Sequence, residues 1–226
     1  MTHKRSNTSS QRSPSSDNRK GCSNDYKINY MMLTLEWGPG FCATSPQRCK
    51  VKDNRQFTIH GMWPQFTDVE APEFCCFDNT FIYKEIEPLV PSLNEYWFSY
   101  YDDNSVGFWS HEWLKHGTCF RDVKQMQGEL LFFKTTLDIA KRLLVLETLK
   151  KDGIIPDNNR AYGSRDILNS MKRVTGGKYA KIECDLEHHQ PIPILKGINF
   201  CFDTDLKFTD CPKSKSRCSR ELVFLN

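Results

Sequence analysis

The chain has no apolar run long enough to cross a bilayer, and residues 1 to 20 contain no apolar segment of the kind a secretory leader carries. It also lacks a strong excess of either charge, with 31 Lys and Arg against 28 Asp and Glu for a net of +3. That balance excludes the broad electrostatic grip by which strongly basic proteins hold duplex DNA. Much of the excess lies in a basic tail, so any nucleic acid must be held locally, at a site. No internal repeat is visible, and no Cys-x-x-Cys pair suggests a zinc ribbon. The 226 residues suit one domain, or one domain and a tail, with room for a substantial core.

Cysteine, by contrast, is abundant. Ten is an even number and high for a cytosolic enzyme, so the chain reads as oxidised and stapled by disulfides, although spacing alone does not fix the pairing. Oxidised cysteines call for export, which residues 1 to 20 do not provide. The conflict is resolved in favour of an authentic start upstream of Met1, over another export route or reduced thiols. The tail lacks the amphipathic face of an organelle transit peptide and reads as plain disorder over residues 1 to 24, with Asn7-Thr8-Ser9 the sole glycosylation sequon. Residues 25 to 226 then form the folded domain.

Residues 28 to 36 read as a buried strand that ends at Gly38-Pro39-Gly40, followed by a loop with Cys42 and Cys49. A second short strand delivers His60 beside a Gly-Met-Trp-Pro turn. After a Pro-containing loop from Asp68 to Cys76, residues 82 to 90 and 93 to 97 look like short helical pieces, broken by Pro88 and Pro91. Gly128 to Lys151 reads as one long helix with an apolar stripe of Leu130, Phe133, Leu137, Ala140 and Leu144, stopping at Gly153. Ser164 is placed to cap a helix from Arg165 to Val174 that stops at Gly176-Gly177. Strand-like runs at 179–184, 196–203 and 221–225 complete the chain. Strands and helices do not alternate regularly, which predicts an α+β fold rather than a doubly wound sheet.

Two stretches carry chemistry. In Phe108-Trp-Ser-His-Glu-Trp-Leu-Lys-His-Gly-Thr-Cys119 the groups His111, Glu112, Lys115 and His116 fall within six positions. On a helix, at about 100° per residue, they share one arc, with Trp113 and Leu114 turned the other way. The other stretch is Phe57-Thr-Ile-His-Gly-Met-Trp-Pro64. Taken singly, Glu112 and Lys115 are an ordinary surface pair and His60 a core histidine; together, the two segments outweigh that bland account. His3, His188 and His189 match nothing and read as solvated. Trp109 and Trp113 read as packing.

FTIHGMWP and FWSHEWLKHGTC resemble the two active-site segments of the T2 ribonuclease family, in the family's order, with a likeness extending from about Ile28 to Phe224. The resemblance implies an α+β fold with a central antiparallel sheet carrying the site and helices packed beside it. It implies disulfides Cys42–Cys49, Cys75–Cys119, Cys184–Cys218 and Cys201–Cys211, leaving Cys22 and Cys76 to bridge each other or stay free. The implied activity is metal-independent, cofactor-free cleavage of single-stranded RNA, not DNA, by a monomer in an extracellular or vacuolar/lysosomal lumen, away from membranes.

RNA supplies its own nucleophile, the 2′-OH beside the phosphorus. An enzyme must remove that proton, protonate the departing 5′-oxygen and stabilise the charge on the phosphoryl oxygens. His60 and His116 are the candidate acid and base, and the residues do not say which is which; the resemblance makes His116 the base and His60 the acid, with a 2′,3′-cyclic phosphate between. Lys115 is the fixed cation, Glu112 is expected to orient His116, and His111 to be a second phosphate contact that works best when protonated. One charged and one neutral histidine predict an acidic optimum. Trp63 and Phe108 are candidates to stack on bases, with burial the competing account. Glu36 stands where the family often has glutamine in a base pocket, a departure that bears on base preference.

Two other classes compete. His111-Glu112 begins like the zinc motif HExxH, but the next histidine follows five residues later rather than four and so turns about 140° away. A disulfide-rich binding protein on the same fold is disfavoured because such loss of turnover usually removes a catalytic histidine.

Overall fold

A computed structural model of the chain describes residues 22, 27–50, 54–66, 70–76, 79–187, 191–213 and 217–226. His3, the Asn7 sequon, His188, His189 and all of the polar tail but Cys22 lie outside the described residues. In chain order the elements are β1 (Tyr30–Trp37), α1 (Gly38–Thr44), β2 (Phe57–Gln65), α2 (Tyr83–Ile86), α3 (Val90–Tyr96), α4 (Val106–Lys115), α5 (Glu129–Arg142), α6 (Val145–Lys151), β3 (Asp157–Gly163), α7 (Ser164–Val174), β4 (Lys181–Asp185), β5 (Ile194–Phe202), β6 (Phe208–Thr209) and β7 (Glu221–Phe224).

The strands form one sheet in the order β2-β1-β5-β7-β3, and β4 and β6 also pair with β5. The α+β class is as expected. The sheet is mixed rather than wholly antiparallel, because β7 meets β5 in parallel at Ile194 and Val223, where the Val223 N–H donates to the Pro193 carbonyl at 2.9 Å. Leu33, Leu35 and Trp37 of β1 alternate onto the core face, with Ile59 and Met62 of β2 beside them, and α3 to α7 cover that face with Trp97, Trp109, Phe132, Phe133, Leu149 and Ile167. Trp37 packs against Phe57 and Phe224 with centroids 5.2 and 4.7 Å away, and its indole donates to the Leu225 carbonyl at 2.8 Å. The chain end is thereby fastened under the site-bearing strands.

Four local expectations are corrected. The strand ends at Gly38-Pro39-Gly40 as expected, but the loop expected after it begins as α1, which takes in Cys42 and where proline loses nothing by lacking an N–H. Gly-Met-Trp-Pro is not a turn, because β2 continues through it and Pro64 pairs with Met31. The long helix is two: Leu144 takes a left-handed conformation at φ 43°, ending α5 and restarting α6 so that Val145 and Leu149 meet the core. The stripe therefore fails at its ends, with Leu130 and Leu144 exposed, while Phe132 and Thr136 join Phe133 and Leu137 inside. Gly163 rather than Ser164 precedes α7, and the Ser164 hydroxyl donates instead to the Ser219 carbonyl, tying α7 to the approach of β7.

Disulfides join Cys42 to Cys49, Cys75 to Cys119, Cys184 to Cys218 and Cys201 to Cys211, and Cys22 and Cys76 bridge each other. The Cys75–Cys119 bond, with the Phe74 N–H donating to the Lys115 carbonyl at 2.8 Å, pins the loop after β2 onto the end of α4.

α1 lies so close to β5 that a Cβ at Gly40 would stand 1.8 Å from the Leu195 carbonyl oxygen. Gly40→Ala must push backbone from backbone, and we expect a loss of about 1–3 kcal/mol or more, read as a lower urea midpoint at unchanged slope.

Candidate active site

β2 carries an extra residue. Gly61 pairs with Thr34 and Ile59 with Leu35, so His60 has no partner on β1 and forms a bulge. A bulge bends the strand and re-aims one side chain. Here it lets Ile59 and Met62, three apart, both reach the core. His60, Gly61 and Trp63 are left on the opposite face with Thr34 and Glu36 of β1. The backbone carbonyl of His60 accepts the Trp97 indole at 2.8 Å, and the Trp97 carbonyl accepts the buried Trp109 indole at 2.5 Å. Two tryptophans thus fasten the bulge to α4.

α4 sends Trp109 and Trp113 into the core, as their spacing predicted, and ends at His116, whose backbone N–H donates to the Glu112 carbonyl at 3.1 Å. Glu112 is 1% exposed, far from a surface residue. Its Oε2 accepts the Trp63 indole N–H at 3.0 Å, directly above Gly61. A Cβ at position 61 would stand 2.1 Å from that oxygen and 2.3 Å from the Trp63 nitrogen. Only glycine leaves room for helix and strand to meet this way.

Trp63 contacts both imidazoles. Its ring lies 5.0 Å from His60, edge to face, and 5.4 Å from His116. Residues 56 positions apart thereby face one site. On the far side of His60 are Phe108, 5.9 Å away, and Glu36, whose Oε1 accepts the His60 Nδ1–H at 2.6 Å. A cavity of about 300 Å³ opens there, lined by Glu36, His60, Phe108, His111, Tyr100 and Asp102 among others.

The electrostatics separate the histidines. Burial, reinforced by the positive charge of Lys115 and the neighbouring imidazoles, pushes His116 down to about 3. Its Nδ1 is buried without a hydrogen-bond partner among the described residues, a further obstacle to an imidazolium, which needs acceptors at both nitrogens. For His60 burial also opposes the charge, but the Glu36 carboxylate, by its charge and its hydrogen bond, outweighs it and raises the pKa above the ordinary value. Burial raises Glu112 to about 7 against the pull of His60 and Trp63.

Three expected roles change. No hydrogen bond joins the Glu112 and His116 side chains, because the carboxyl is taken by Trp63; Glu112 therefore does not orient that imidazole. His111 is lowered by burial and by Lys115 and His60, which runs against a contact that needs it charged. Trp63 is not a free-standing platform, because its half-buried ring contacts both imidazoles and its indole N–H is taken by Glu112, whereas Phe108 does line the cavity. Lys115 meets the Glu73 carboxylate at 3.2 Å, both partly exposed, a pair weak enough for a phosphate to displace. Glu73, Gly61 and the cavity wall at Tyr100 and Asp102 were not singled out from the sequence, although the run Phe98-Ser-Tyr-Tyr-Asp102, aromatic within a polar stretch, was a visible signal. Among the described residues no cluster of three or more His, Cys, Asp and Glu is arranged to hold a metal ion, and no helix is long and apolar enough to cross a membrane.

Similarity to known proteins covers most of the chain. Ribonuclease S-6 of Pyrus pyrifolia is 31% identical over 88% of this chain and 86% of its own length. Ribonuclease Oy of Magallana gigas is 30% identical over 87% and 94%. The crystal structure of RNase NT in complex with 5′-AMP superposes with a TM-score of 0.78 at 28% identity, over 88% of this chain and 99% of that one. Ribonuclease MC1 from bitter gourd seeds does so at 0.77 and 26%, over 87% and 100%. The model of the Ribonuclease T2 family matches residues 28–211, both histidine segments included, and the chain belongs to that family.

Proposed function

We propose that the protein is an endoribonuclease that cleaves single-stranded RNA by attack of the 2′-OH on the adjacent phosphorus, through a 2′,3′-cyclic phosphate. The observation that carries this is the pair His60 and His116, both against the Trp63 ring, with environments that push their proton affinities apart. His116, held neutral, takes the 2′-OH proton. His60, held protonated, gives its proton to the departing 5′-oxygen. Lys115 exchanges Glu73 for a phosphoryl oxygen, and Glu112, protonated below about 7, donates a hydrogen bond to the same charge. His111 and Phe108 border the cavity that would take a base, and the similar RNase NT binds a nucleotide, 5′-AMP. The working window lies above the His116 pKa and below that of His60, hence the acidic optimum.

Five disulfides favour an oxidising compartment, an extracellular or vacuolar/lysosomal lumen. A monomer satisfies the mechanism, since every group it uses comes from one chain.

Near pH 5 the protein is expected to cut a single-stranded RNA oligonucleotide and leave the matching DNA intact, with cyclic phosphate ends detectable by mass spectrometry; cleavage of both, or of neither, rules the mechanism out. His116→Ala is expected to lose at least about 10²-fold in kcat with its circular dichroism unchanged. Glu112 makes a separate prediction for stability. Its folded pKa is raised, so stability is lost as pH climbs from the ordinary carboxylate range through about 7. Glu112→Gln keeps an acceptor for Trp63 and removes that loss. Its unfolding free energy relative to the parent is therefore expected to rise between pH 5 and 7, on the order of 1–3 kcal/mol, while turnover falls.

A further inference from the structure

Glu36 occupies an unusual place. It is 8% exposed on β1, opposite Thr58 in register, and the bulge one position beyond swings His60 onto its carboxylate at 2.6 Å. On its other flank the register partner is Gly197 of β5, which has no side chain to compete for the carboxylate. The next acid along that row, Glu183 of β4, accepts the Asn199 amide at 2.6 Å and so reaches His60 through charge alone. Glu112, His111 and His116 also face His60 from α4 and its end; Glu112 favours the imidazolium only once it ionises, at about 7, and the two histidines oppose it only when charged. Among the described residues, Glu36 is the side chain that hydrogen-bonds the His60 ring.

We infer that Glu36 is a positioning residue for the reaction: its carboxylate holds the His60 Nδ1–H, so that Nε2 faces the scissile bond and the ring retains the proton needed by the leaving oxygen. This rests on the assignment of His60 as the acid. As the bond between phosphorus and the 5′-oxygen breaks, the Nε2 proton passes to that oxygen and the imidazole becomes neutral; the Nδ1 proton stays between His60 and Glu36, and the carboxylate gains none. A charge-assisted bond of this length fixes both tautomer and ring orientation. The cost of a carboxylate at the rim of the base cavity is offset by a leaving-group acid that stays charged at higher pH.

The test compares the parent, Glu36→Gln, Glu36→Ala and His60→Ala on single-stranded RNA homopolymers between about pH 4 and 8. A glutamine oxygen still accepts from Nδ1–H, so orientation is kept and only the charge is lost. The ratio of parent to Glu36→Gln in kcat/KM is expected to grow with pH, by at least about threefold across the range, on every base. The His60 ring signals in nitrogen-detected NMR are expected to titrate at lower pH in Glu36→Gln. Glu36→Ala, which also frees the ring, is expected to lose kcat at all pH values. A ratio flat with pH, an unmoved His60 titration, or a change confined to KM for one base overturns the inference, the last marking a base-contact role instead. Turnover surviving in His60→Ala would overturn the acid assignment itself, whereas its loss alongside a flat Glu36→Gln profile would overturn the role of Glu36 alone.

Discussion

The site depends on a contact that only a missing side chain permits. The Glu112 carboxyl reaches the Trp63 indole across the bare Cα of Gly61, and this hydrogen bond joins α4 to β2 at the point where their histidines must converge. A Cβ there would strike the carboxyl and the indole themselves and break the bond that joins helix and strand at this point. The tryptophan relay from Trp109 through Trp97 to the His60 carbonyl fixes the same junction from the core side. A buried carboxyl and three indoles thus hold two imidazoles against one ring, with little of that scaffold touching what they would act upon.

Proximity alone would leave two equivalent histidines. What divides them is their unequal surroundings. His116 ends a helix whose last turn carries Lys115, and among the described residues its Nδ1 has no partner to accept a second proton; His60 leans on a carboxylate from the neighbouring strand. The same low-dielectric setting that keeps one ring neutral pushes Glu112 up to about 7, so that in the proposed reaction a residue that would repel phosphate as an anion would serve as a donor. Burial is costly to the fold and useful to the chemistry at the same positions.

Much of this was legible in the residues. The six-position cluster from His111 to His116 placed its tryptophans inward and its charges on one side because helical spacing leaves little choice. What escaped was whatever depends on a partner distant in sequence. The bulge at His60 was read as a turn, since Gly-Met-Trp-Pro has turn composition and only the register with β1 shows the strand running on. The break at Leu144 carried no glycine or proline to announce it; it follows from the need to bring Val145 and Leu149 against the core, which no local propensity encodes. Glu36 was noticed as odd for a base pocket, but its contact with His60 arises from the bulge. Glu73 met Lys115 because a disulfide brings its loop there.

Cys75 and Cys76 are adjacent, and each closes a large covalent ring, one back to Cys22 over 54 positions and the other forward to Cys119 over 44. Glu36, His60 and Trp63 lie within the first ring, His111 to His116 within the second. Even a fully denatured chain is therefore a figure of eight, with each histidine confined to its own lobe and both lobes knotted at one dipeptide. Such a chain has far fewer ways to be lost than an open one. A backbone cut anywhere between Cys22 and Cys119 leaves the pieces tethered, so the two halves of the site stay in each other's reach even after a nick.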